Sequence, residues 1–121
     1  MTEIAALLDF FSRVVPAYPS DNVPDDVAYP YVTVEPRFGA WGDGDVHVQL
    51  NLWERTTSDA LVNGHVREFA ALIGYGGAPV PCETGWLWVK RGSPFAVPVT
   101  DPDDDAIKRR LLNIVIEFIT D

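Results

Sequence analysis

Asp101, Asp103 and Asp105 stand at alternate positions in TDPDDDAIKRR, the spacing with which a calcium loop presents its first oxygen ligands. The rest of that pattern is missing. Ala106 occupies the place where the sharp turn needs glycine, and Leu112 the place of the bidentate glutamate. The segment therefore reads as a solvated acidic turn whose carboxylates pair locally with Lys108, Arg109 and Arg110, pairs that contribute little at a surface. Gly39, Gly42 and Gly44 suggest a phosphate cradle, but no lysine followed by Ser or Thr comes at the required spacing. Asp43 and Asp45 would also repel phosphate. A hairpin tip that exposes Trp41 is the better reading.

Nucleophilic chemistry fares no better. Cys82 is the only cysteine, which excludes a disulfide or a cysteine zinc site within one chain. Its possible bases are His47 and His65, and neither sits in a catalytic motif. Leu61, Val62 and Phe69 flank His65 at helical spacing, so it reads as a packed core histidine. His47 falls on the polar face of a strand, facing solvent or an interface. Ser93 in RGSPF lacks the glycine pattern of a nucleophile elbow. The expectation is no catalytic residue, no cofactor and no metal.

The elements that position these residues follow from periodicity. Ile4, Leu7, Leu8, Phe11, Val14 and Val15 predict a helix over 2–15, capped by Thr2 and stopped by Pro16. Phe10 widens its apolar face enough to suggest contact with a partner. Prolines 16, 19, 24 and 30 make 16–30 read as an ordered linker. Tyr31 to Glu35 predicts a short strand, with Val32 and Val34 on one face. Val46, Val48, Leu50 and Leu52 alternate with His47, Gln49, Asn51 and Trp53 in a half-buried strand. A second helix is expected over 58–73, closed by Gly74. Gly64 within it implies close packing against a sheet.

After a Gly/Pro loop at 75–81 come the strand WLWVK (86–90), a weak edge strand at 95–100 containing Pro98, and a closing strand over 107–120. Leu112, Ile114, Ile116 and Phe118 would face the core, with Leu111, Val115 and Ile119 behind them. An apolar second face places that strand centrally in a sheet or in a subunit interface. The sum is one α+β domain over 1–121: a mostly antiparallel four- to five-stranded sheet with two helices packed on one face. Trp41, Trp53, Trp86 and Trp88 leave two readings open, a large aromatic core or a patch hidden in an oligomer.

Composition bounds the function. The chain has 121 residues, 47% of them hydrophobic, and suits one domain with its own core. No apolar run approaches the ~20 residues that span a membrane. Glu3 stands where a signal peptide wants a basic residue, so a cytoplasm is the expected place of synthesis and function. A net charge of −9, from 9 basic and 18 acidic residues, argues against binding nucleic acid through its phosphates.

Three segments carry a resemblance: the strand entry YPYVTVEP, the strand VHVQLNLWERTTSD leading straight into a helix, and the close DPDDDAIKRRLLNIVIEFIT. With the amphipathic N-terminal helix, they resemble the tail terminator, or tail-completion, proteins of siphophages, over most of the chain. The resemblance implies a homohexameric ring that caps the tail tube, ends its polymerisation and forms the surface that joins the head. Its partners would be further copies of itself, the tail tube protein and a connector or neck protein. DNA would pass through the lumen without specific binding, and no membrane would be involved. Such a protein works in the host cytoplasm during assembly and stays in the virion tail. Contact candidates on this reading are Phe38, Trp41, His47, Gln49, Asn51, Trp53, Arg109, Leu111, Val115 and Ile119. The alternatives are a neck or head-completion protein, and a small acidic DNA mimic that inhibits a nucleic-acid enzyme.

Overall fold

The computed structural model describes residues 2–35, 45–99 and 106–120. Helix α1 spans Glu3–Phe11, and the Thr2 hydroxyl accepts a hydrogen bond from the Ala5 N–H (3.1 Å). It ends earlier than Pro16 would require. The Ser12 hydroxyl donates to the Asp9 carbonyl (2.7 Å), and tighter turns carry the chain on to Val15, which stays buried. Phe10 is buried against the core, so it is no partner contact.

The stretch expected to be a linker contains a strand. β1 (Ala17–Pro19) runs parallel to β2 (Tyr31–Val34), with Tyr18 beside Thr33. Pro19 fits there, with Pro16 just before the strand, because β1 lies at a sheet edge, where a missing N–H group costs no ladder bond. β3 (Val46–Arg55) pairs antiparallel with β2 on one side and with β6 (Ile107–Thr120) on the other. β5 (Gly85–Val99) pairs with β6 and, through its first residues, with β4 (Ala78–Cys82). The order is β1-β2-β3-β6-β5-β4.

This corrects the expected sheet in number and in kind. Among the described residues it has six strands, and it is mixed, because β1–β2 is parallel. The Gly/Pro loop hides β4, whose Pro79 and Pro81 are tolerated on the outer edge. The two strands expected at 86–90 and 95–100 are one strand, with an irregularity between Arg91 and Ala96. Gly92 sits in that irregularity. A Cβ there would come within 2.8 Å of the Asn113 carbonyl oxygen, so only glycine lets β5 lie this close to β6.

Helix α2 spans Asp59–Ile73, with the Ser58 hydroxyl accepting from the Leu61 N–H (3.3 Å) and Gly74 at a φ of 79° closing the helix. Leu7 and Phe11 of α1 join Val62, Phe69 and Ile73 of α2 in one core. Below them lie Val32, Val34, Leu50, Leu52, Leu87, Leu112, Ile114 and Ile116. The rings of Phe11 and Phe69, 6.1 Å apart, join the two helices. Both helices therefore cover the same face. α1 touches both edge strands, β1 and β4, so the sheet curls around it, while α2 lies over β5 and β6.

Gly64 does not pack against the sheet as expected: nothing lies within 4 Å of the place its Cβ would take. Gly64→Ala should then raise the unfolding free energy by about 1 kcal/mol, the helix-propensity difference alone. A urea denaturation midpoint that fails to rise would show that Gly64 is held for another reason.

Candidate functional site

Strand parity decides which residues share the face opposite α1 and α2. The even positions of β3 and β6 up to Leu52 and from Arg110 point to the helices, and the odd ones point away. The pairing lines up rows across that free face. Tyr31, Trp53, Arg109 and Val99 form one row, and Thr33, Asn51, Leu111 and Val97 the next. Gln49 lies beside Asn113, His47 beside Val115 and Lys90, and Ile119 beside Trp86 and Pro81. Of the sequence candidates, His47, Gln49, Asn51, Trp53, Arg109, Leu111, Val115 and Ile119 thus fall on one face. Phe38, Trp41 and the acidic turn at 101–105 lie outside the described residues.

At one end of this face the side chains stack. Tyr31 lies parallel to Trp53 (6.3 Å between centroids, 17° between planes), and Tyr18 and Tyr29 pack edgewise or tilted around it. The Arg109 guanidinium sits 4.9 Å from the centre of the Trp53 ring, and Arg55 4.8 Å from that of Tyr29. Arg109 Nε also donates to Asn51 Oδ1 (2.9 Å), and Trp53 Nε1 to Thr33 Oγ1 (3.4 Å). Burial, with help from Tyr29, raises the Tyr31 phenol above its ordinary pKa.

The middle of the face is notched. Gly92 and Ser93 leave an open depression of about 380 Å³, lined by His47, Gln49, Asn113 and Val115. At the far end Lys90 Nζ lies 3.7 Å from both Asp45 and Glu117. Beyond them Trp86 (42% exposed) and Ile119 (43%) form an apolar pair. The described tryptophans all lie on this side, and the aromatic part of the core is made of phenylalanines.

Sequence reasoning missed the polar cluster on the opposite face. It ended the β3 alternation at Trp53, yet Glu54 continues it inward and is 3% exposed. Its Oε1 lies 3.1 Å from His65 Nδ1, but off the line of a hydrogen bond, and Oε2 has no partner. His65 is thus a packed histidine with a buried carboxylate beside it. Arg110, also buried, donates to Asp59 Oδ1 (3.1 Å) and to Asn63 Oδ1 (3.2 Å), and Lys108 lies 3.7 Å from Asp59. The basic run thus divides by strand parity: Lys108 and Arg110 hold the first turn of α2, and Arg109 faces outward.

These contacts tie strands and helices to one another. Cys82 has the Thr84 hydroxyl as its polar neighbour (3.8 Å), and that hydroxyl donates to Glu3 (3.0 Å). Among the described residues no three His, Cys, Asp or Glu side chains gather as a metal site, and no helix is long and apolar enough to cross a membrane. No known protein family matches the chain, and no curated protein matches it either.

The Asp59 cluster generates a pH dependence. The hydrogen bond from Arg110 and then the charge of Lys108 hold its carboxyl below the ordinary 3.8. A lowered folded-state pKa contributes stability that is present above the unfolded value and lost as pH falls through the folded one. Acid titration of stability from about pH 5 downward should therefore fall more gently for Asp59→Asn than for the wild type. Parallel curves would contradict this role.

Proposed function

We propose that this chain is a structural protein of phage assembly, of the tail terminator kind. In this role it caps the tail tube as a ring, the hexamer that the family resemblance implies, ends polymerisation and offers the surface that meets the head. The observation that carries the reading is the composition of the free sheet face. A face left to water in an antiparallel sheet is ordinarily polar. Here it presents Trp53, Leu111, Val115, Trp86 and Ile119 among Arg109, Asn51, Gln49 and His47. Aromatic and arginine anchors with neighbouring amides are the residues that carry protein–protein binding.

Ring closure needs a contact surface on each copy that complements a different surface on the next. The tail tube protein and a connector or neck protein are the further partners, and DNA crosses the lumen without specific contacts. The chain would act in the host cytoplasm and remain in the virion tail. The neck-protein reading uses the same face and differs only in the ring it joins. A DNA mimic would need carboxylates in a phosphate-like row. Asp45 and Glu117, the acids at the edge of this face, are instead drawn to Lys90, which disfavours that reading.

Silencing the gene in its phage or prophage should give overlong or headless tails by electron microscopy. Tails of normal length on filled heads would overturn the proposal.

A further inference from the structure

A sheet that ends in open strands offers the outer row of backbone groups on each to another chain. Here both outer rows are short of donors. In β4 the two-residue turn Glu83–Thr84 joins Cys82 to Gly85. Cys82, Val80 and Ala78 therefore bond to β5, and Pro79 and Pro81 turn their backbone outward. Proline has no N–H, so from Ala78 to Cys82 the outer row presents carbonyl oxygens and no donor. In β1 the Pro16 carbonyl accepts from the Val32 N–H, and the Ser20 N–H donates to the Val34 carbonyl, both at 2.9 Å. Even positions thus face β2, and Ala17 and Pro19 face outward. Pro19 again lacks the N–H, and its carbonyl is taken by the Asn22 N–H (3.0 Å). That leaves the Ala17 N–H as the one outward donor of β1.

We infer that Pro19, Pro79 and Pro81 close the sheet edges to a second copy of this chain, so that copies meet only through other surfaces. An added strand bonds through donors and acceptors in alternation, and on β4 its carbonyls would meet only carbonyls. Pro79 and Pro81 are exposed, so this edge lies within reach of another chain and is closed by its chemistry. The neighbouring surface gives the closure its purpose. Trp86 and Ile119 stand in register with Pro81 on the adjoining strands, 42% and 43% exposed. An apolar strip beside an unblocked edge is a template for pairing that does not stop at a fixed number of copies. The closure is a property of the free chain and does not depend on what the chain caps.

Returning the missing donors tests it. Pro79→Thr/Pro81→Thr puts two N–H groups on the outer row of β4 and keeps residues that suit a strand. By sedimentation this variant, checked for native circular dichroism, should self-associate at least about tenfold more tightly than the wild type. Amide exchange followed by NMR should show the new N–H groups at 79 and 81 becoming protected as concentration rises, the mark of backbone pairing at this edge. Pro79→Thr and Pro81→Thr alone should each give a smaller gain, which keeps the test decisive where the double variant disturbs the hairpin. Three results would each overturn the inference. One is association equal to the wild type in all three variants. Another is tighter association that leaves the amides at 79 and 81 unprotected. The third is a wild type whose Ala17 N–H becomes protected as copies associate, because β1 would then be accepting a strand.

Discussion

Two helices cover one face of a six-stranded sheet, and everything else about this molecule is arranged around that asymmetry. The core forms on the helix side alone, where Phe11 and Phe69 bridge the helices above Leu50, Leu112, Ile114 and Ile116. Helix α1 reaches both edge strands, so the curl of the sheet and the position of the helix depend on each other. The other face has no covering layer among the described residues, yet β6 is apolar on both sides. Leu111, Val115 and Ile119 lie on that face because a central strand has two faces to fill.

The period of two is the lever that separates the two sides. Along Lys108, Arg109 and Arg110 it sends the outer two toward α2 and the middle one to the free face. One basic run thus anchors a helix and supplies a cation to an aromatic cluster. Glu54 continues the inward series of β3 into the same region, where its carboxylate lies beside His65. Buried polar groups of this kind add little net stability but penalise other registers, since a one-residue slip would bury Arg109 and expose Arg110.

Much of this was legible in the residues. The alternation from Val46 to Trp53, the helical spacing from Leu61 to Ile73 and the two-sided closing strand each appear where periodicity places them. The grouping of the eight described contact candidates on one face also followed from alternation, since odd positions on paired strands share a side. β1 and β4 were hidden because their prolines signal loops, and only the sheet edge makes proline acceptable in a strand. The single long β5 was hidden by the glycine and proline at its irregularity, a signal that ends strands as often as it bends them. The Glu54–His65 contact was out of reach because it joins a strand and a helix through tertiary packing alone.

The central claim is that the free sheet face is a protein-contact face. The most direct test is hydroxyl-radical footprinting of the chain in tail particles, the assembly in which the proposed role would place it, against the dilute free protein. The account predicts protection of Trp53, Leu111, Trp86 and Ile119, with the exposed side of α2 at Arg67 and Glu68 unchanged. Protection confined to α2, with Trp86 and Ile119 as reactive as in the free chain, would contradict it.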